Sequence, residues 1–241
     1  EGAGPTERVA PDGIVELVFH YGEPVAMRHA GERFRRQPRS CVVSQTRRFV
    51  EFRPAGAVGF VAVRFRPWGA HHFLGVPVSA FSDLAIDARD LWRAAAVAEL
   101  EERLAAAGSL ESRVALVEAF LWRRLAEHEK EDIEALVRQV WAGGGELRVA
   151  ELARRTGVGE RRLERTFAAA LGTSPKGYSR VVRFLRACRR LRLGEWSTLT
   201  EVAYDCGYYD QSHFVAECRD LAGMTPGELA AAPSFSHLEI G

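Results

Sequence analysis

Arg161, Glu164 and Arg165 recur at i, i+3 and i+4 and therefore share one face of any helix that contains them. Leu163, Phe167 and Leu171 take the other, inward positions at helical spacing. A guanidinium pairs bidentately with the edge of guanine, and its permanent charge also suits phosphate. Just upstream, Val149, Leu152 and Ala153 mark a shorter helix. Gly157 stands where that helix must stop and the chain reverse, a position that favours positive φ. A short helix, a glycine turn and a second helix with arginines outward is what a reader of the DNA major groove requires. An ordinary helical hairpin with a solvated basic face would be written the same way.

The elements that position these residues occur twice. Ala153, Gly157 and Val158 match Ala203, Gly207 and Tyr208 at an offset of 50, and after one extra residue Leu163 and Phe167 match Phe214 and Cys218. Gly172-Thr173-Ser174-Pro175 likewise matches Gly223-Met224-Thr225-Pro226. Two copies are an internal duplication and too few for a solenoid. Between them, Lys176 to about Arg192 reads as one helix, with Val181, Val182, Leu185, Cys188 and Leu191 apolar at helical spacing. At ~1.5 Å per residue it spans roughly 25 Å. With the flanking turns, that approaches the ~34 Å between major-groove faces on one side of a duplex. One chain can then place two reading helices in successive groove segments.

Charge divides unevenly along this half. Arg148 to Arg192 holds thirteen Lys and Arg against three acids, a net of +10, although the whole chain carries only +1. Leu193 to Gly241 holds Arg219 against eight acids, a net of −7. Phosphate contact needs local positive excess, so the expectation is an asymmetric reader whose first unit supplies most of the affinity. Arg154, Arg155, Lys176, Arg180 and Arg183 are the candidate phosphate contacts.

Taken together, Val149-Ala150-Glu151-Leu152-Ala153, Arg162-Leu163-x-Arg165-x-Phe167, the two Gly-x-[Ser/Thr]-Pro turns, Cys206-Gly207-Tyr208 and Asp210-Gln211-Ser212-His213-Phe214 resemble the DNA-binding domain of AraC/XylS-type transcription regulators. That resemblance covers residues 131–230 or so. It implies two helix-turn-helix units bridged by a long helix, with Arg161, Glu164 and Arg165 at bases in the first unit. It implies Gln211, Ser212, Val215 and Ala216 at the equivalent places in the second. Cys218 stands where the family usually has an aromatic residue, Ala216 where a polar reader is common, and Leu229-Ala230 where Tyr-Arg often follows the proline. These departures weaken base reading by the second unit.

The N-terminal part alternates as strands do. Ile14–Tyr21, Cys41–Gln45, Arg47–Phe52 and Val58–Phe65 are strand candidates separated by Pro and Gly turns, which implies an antiparallel barrel or sandwich. The fold class expected is therefore α+β: an N-terminal antiparallel β-barrel with flanking helices and an all-α C-terminal domain. The barrel resembles, mostly by position and size, the cupin-like sensor domains that precede such DNA-binding domains. That resemblance implies a small-molecule effector. Tyr21, Phe60, Phe65 and Trp68 are the aromatic residues that would line its pocket, or would simply be core. Leu91 to about His128 reads as two helices broken at Gly108-Ser109, serving as a dimer interface or packing on the barrel. The expected domains are 1–90, a connector at 91–128 with the charged Glu127–Asp132 segment as linker, and 129–235.

Other chemistries find little purchase. His20, His29, His71 and His72 contain no His-x-His, and on a strand His71 and His72 would face opposite ways, which disfavours a cupin metal site. No Gly-x-Ser-x-Gly elbow is present. Cys41, Cys188, Cys206 and Cys218 show no paired spacing and read as reduced, buried thiols; a Cys206/Cys218 redox switch has only proximity in its favour. No apolar run approaches a membrane span and no signal peptide is recognised. The expectation is a cytoplasmic bacterial regulator without enzymatic activity or cofactor. Its partners would be double-stranded DNA, a small effector, RNA polymerase and a second copy of the chain. A cupin-type metal enzyme fused to a degenerate DNA-binding domain and a protein-interaction adaptor are the competing readings.

Overall fold

The computed structural model describes residues 4–125, 133–194 and 196–232. The expected linker at Glu127–Asp132 lies outside the described residues. Among the described residues the N-terminal part has eight strands: β1 (Glu7–Val9), β2 (Glu16–His20), β3 (Ala26–His29), β4 (Arg35–Arg36), β5 (Ser40–Val43), β6 (Val50–Arg53), β7 (Phe60–Arg64) and β8 (Ala85–Asp87). They form two four-stranded antiparallel sheets, ordered β1-β6-β3-β4 and β7-β2-β5-β8. Val18, Cys41 and Val43 of one sheet pack against Met27 and Val50 of the other, so the sheets face each other. The barrel expected from the sequence is thus an open pair of sheets among the described residues. β1, β3, β4 and β8 were not among the strands expected; none exceeds four residues.

Between β7 and β8 lie α1 (His71–Leu74) and a 3-10 turn at Val78–Phe81. His71 and His72 therefore share a helical turn, ring centroids 3.9 Å apart, instead of opposite faces of a strand. Helices α2 (Ala94–Ala106) and α3 (Leu110–Trp122) follow, the second capped by Ser109, whose hydroxyl accepts from the backbone N–H of Ser112. That cap satisfies a donor the first helical turn would otherwise leave open. Both helices cover the outer face of the second sheet: Leu17, Phe19 and Val42 join Val97, Leu100, Leu104, Val117 and Phe120 in one core. β2 is consequently covered on both faces, and Leu17, Val18 and Phe19 at its centre are all buried.

The C-terminal part contains α4 (Ile133–Ala142), α5 (Val149–Thr156), α6 (Glu160–Leu171), α7 (Pro175–Leu193), α8 (Leu199–Asp205), α9 (Gln211–Ala222) and α10 (Pro226–Ala231). Helix α7 is buried almost all round. Tyr178 and Val182 enter the core of α4, α5 and α6, whereas Val181, Phe184, Leu185, Cys188 and Leu191 enter that of α8, α9 and α10.

The repeated Gly-x-[Ser/Thr]-Pro motif acquires a physical meaning. Gly172 and Gly223 end α6 and α9 in the left-handed conformation, at φ +71° and +65°. Two residues on, Ser174 and Thr225 cap α7 and α10 with their hydroxyls, and Pro175 and Pro226 take the first helical position. Each motif is a stop followed at once by a start. The N-terminal part grips both glycines: Ser82 Oγ donates to Gly172 O at 2.7 Å, and Arg8 Nη1 to Gly223 O at 2.9 Å. A Cβ on Gly172 would lie 2.9 Å from Val78 Cγ1, and one on Gly223 2.6 Å from Phe49 Cε1.

Gly157 shares the positive φ, +69°, but has open space beside it. Gly157→Ala is expected to show the backbone cost alone, and Gly172→Ala that cost plus the lost interdomain contact, more than about 1 kcal/mol in all. Thermal unfolding of both variants measures the difference; equal melting temperatures would remove the contact from the account.

Candidate nucleic-acid interface and ligand cavity

Helix α6 buries Leu163, Phe167, Ala170 and Leu171 and exposes Arg161, Glu164 and Arg165. Among the described residues, no ion pair or hydrogen bond engages those three side chains, so they stand ready for an external partner. On α9, Gln211, Ser212 and Ala216 are exposed and Val215 is half-buried, while Phe214 and Cys218 are in the core. Thr200 Oγ1 donates to Gln211 Oε1 at 2.8 Å, which leaves the Gln211 amide N–H groups directed to other acceptors. Asp210 caps α9 by accepting from His213 N at 2.7 Å. Tyr209, next to that cap and 84% exposed, was not picked out from the sequence. An aromatic residue in a polar turn leaves no periodic signal.

The candidate phosphate contacts separate by what already holds them. Arg154 and Arg155 both bond Glu151, at 2.8 and 2.6 Å, and keep its carboxyl down at about 2. These side chains are well exposed, and pairs of that kind contribute little, so a phosphate can replace Glu151 at small cost. Lys176, in the first turn of α7, is exposed. Arg180 differs. It donates to Glu217 at 2.8 Å and to Asp220 at 2.5 Å, and Glu217 is only 7% exposed. Withdrawing Arg180 would strand a buried carboxylate, a far larger penalty than one phosphate contact returns. Arg183 is half-buried over the Tyr208 ring, 5.5 Å from its centroid, between the two units. Arg180 is thus committed to carboxylates of α9, and Arg183 rests on a ring of the second unit.

The same pairings revise the charge argument. Arg190 of α7 bonds Glu201 and Asp205, and Arg186 bonds Glu146 at 2.8 Å. Part of the +10 in the first segment is therefore matched, and Glu201, Asp205, Glu217 and Asp220 of the second unit pair with arginines of α7. Net charge by segment overstated the asymmetry, because helix packing brings the two segments together.

Residues 152–232 match the family described as a helix-turn-helix domain, and residues 1–87 match a domain of unknown function, DUF6597. The chain is similar in its C-terminal part to AraC-type transcription regulators. It is 28% identical to a probable AraC family transcriptional regulator from Rhodopseudomonas palustris, over 40% of its own length and 95% of that protein's, with a TM-score of 0.35. ToxT from Vibrio cholerae is 10% identical over 96% of this chain and 98% of its own, with a TM-score of 0.50, a likeness of fold. ToxT with a bound unsaturated fatty acid is also similar, at 10% identity over 95% and 90% of the two chains, with a TM-score of 0.47. No curated protein matches.

In the N-terminal part, a cavity of about 820 Å³ opens between the sheets. Of the aromatic residues expected around a ligand, Phe60 lines it. Tyr21 and Phe65 belong instead to the core under α2 and α3, and Trp68 packs on the α4–α6 core beneath Arg138. The inward residues of β2, Glu16, Val18 and His20, line the cavity, as do Ala62 and Arg64 of β7. Its far wall includes Met224 and Ala232 from the DNA-binding domain. His20 and Gln37 were missed as site residues; the place of His20 in the alternation Glu16, Val18, His20 was the available signal. Cys188, Cys206 and Cys218 share the second-unit core, and burial pushes all three thiols up, leaving them unreactive and poorly suited to a redox switch. Among the described residues no cluster of three or more His, Cys, Asp or Glu is placed to hold a metal ion, and no helix is long and apolar enough to cross a membrane.

Arg165→Ala is expected to cost about 1–3 kcal/mol at the preferred DNA site and to relax specificity there; binding equal to wild type would exclude it as a reader. Arg180→Ala should lower thermal stability and leave the salt dependence of DNA binding unchanged. Burial raises the Asp220 pKa, but the bonds from Arg180 and Arg48 outweigh it and hold the group below its ordinary value. Its stabilisation is thus complete above the usual Asp range near ~4 and is lost as pH falls through the lower, folded value. Melting curves from pH 7 to 3 should show a shallower acid decline in Asp220→Asn.

Proposed function

We propose that α6 and α9 of this regulator enter successive major-groove faces of one duplex, under the control of a small molecule bound between the N-terminal sheets. In this reading Arg161, Glu164 and Arg165 meet bases through the first unit, and Gln211, Ser212, Val215 and Ala216 through the second. Lys176, Arg154 and Arg155 supply phosphate contacts. The nineteen residues of α7 set the separation, about 28 Å along its axis. The chain acts in the cytoplasm by binding alone. The outward face of α3, where Leu110, Val114 and Trp122 are exposed, supports pairing with a second copy.

The observation that carries effector control is Arg8. It lines the cavity, pairs with Glu51 at 2.9 Å and donates to the carbonyl of Gly223, the residue before Met224. A ligand that moves Arg8 or Met224 acts directly on the turn that closes α9. Fluorescence anisotropy against a duplex pool enriched by the protein, repeated across salt, tests the reading. Tight, selective binding with a steep negative slope in log salt is expected. Arg8→Ala should still bind ligand but lose the ligand's effect on DNA affinity. Sequence-indifferent binding with and without added ligand would overturn the proposal.

A further inference from the structure

The cavity between the sheets is walled by Val18, Val43, Phe52, Phe60 and Ala62, and its volume falls within the ~300–1,000 Å³ usual for small-molecule sites. Its charges are spoken for. Arg8 is held by Glu51, and Arg64 by Glu16 and by Asp12 at 2.6 Å. A ligand carboxylate would have to share guanidiniums already bonded to Glu51, Glu16 and Asp12. Glu7, at the exposed rim, adds a negative charge that an anion must approach.

Among the described residues two buried polar atoms of the lining lack a partner, the donor Nε of Arg8 and Nδ1 of His20. His20 is 2% exposed, and its Nε2 lies 3.2 Å from Gln37 Oε1. The Gln37 amide is oriented by its Nε2, which donates to the sulfur of Met27 at 3.7 Å. An amide oxygen only accepts, so the imidazole proton sits on Nε2 and the free lone pair on Nδ1. Burial keeps the ring neutral, with Arg39 acting in the same direction and Gln37 opposing. Nδ1 is buried and meets no hydrogen-bond partner among the described residues. A buried acceptor left open is costly, and a donor that reaches it recovers that cost.

We propose that the cavity takes a neutral, largely apolar molecule bearing one hydroxyl, whose O–H donates to Nδ1 of His20. The inference rests on the cavity being the effector site and specifies its ligand class. An alcohol satisfies the lone pair; an ether of the same length offers no proton, and a carboxylate must share guanidiniums already bonded to acids.

The test uses the full chain loaded with Nile red, a neutral dye, and displaces it with 1-decanol, decyl methyl ether or decanoate. Decanol is expected to displace the dye about tenfold more effectively than the ether, the ratio one hydrogen bond gives, with decanoate weaker than both. His20→Phe should erase the alcohol-over-ether preference while leaving ether binding in place, which also shows that the variant is folded. Gln37→Glu, which draws a second proton onto the imidazole and turns Nδ1 into a donor, should erase it too. Decanoate binding as tightly as decanol, or a preference unchanged in both variants, would overturn the proposal. Failure of all three compounds to displace the dye would overturn the ligand class and the effector site together. Decanol binding with no change in DNA affinity would uphold the ligand class and remove only the control reading.

Discussion

Helix α7 is the constraint on which the DNA-binding half depends. A single rod whose opposite faces belong to two cores cannot rotate toward one unit without unpacking the other. Its apolar residues alone would allow axial slippage, since Val, Leu and Phe contacts are not directional. The arginines remove that freedom: Arg180 reaches Glu217 and Asp220 on α9, Arg186 reaches Glu146 ahead of α5, and Arg190 reaches α8. Hydrophobic burial sets the distance between units and the ion pairs set the register.

The N-terminal sheets use alternation for two different ends. Along β2 the residues facing outward, Leu17 and Phe19, bind the sheet to α2 and α3, while those facing inward, Glu16, Val18 and His20, border the cavity. One strand therefore serves both as wall and as anchor. The covering helices back that wall, and the DNA-binding domain completes the cavity at Met224 and Ala232.

Much of the DNA-binding half was legible because its signals are local and doubled. The Gly-x-[Ser/Thr]-Pro turns, the spacing of Leu163 and Phe167, and the apolar period of α7 each follow from short-range rules, and each copy checks the other. The exposed set Arg161, Glu164 and Arg165 followed from the same periodicity. The cavity was not legible. Which aromatic residues face a ligand depends on how two sheets are stacked, and Tyr21, Phe65 and Trp68 are claimed by helices distant in sequence. The ion pairs of Arg180 were hidden for a related reason: counting charges along the chain says nothing about which ones packing will pair. Short strands such as β4 and β8 exist only because longer neighbours offer them an edge.

The grip on the two glycine carbonyls breaks the symmetry of the duplicated half. Chemically equivalent atoms, Gly172 O and Gly223 O, are held by unlike donors, a serine hydroxyl and an arginine guanidinium. The two copies are therefore no longer interchangeable, however alike their turns remain. Added salt weakens the ionic surroundings of Arg8 more than the neutral bond from Ser82. Each copy has its own fastening, free to drift in strength without dragging the other along, which gives evolution two separate adjustments where duplication first provided one.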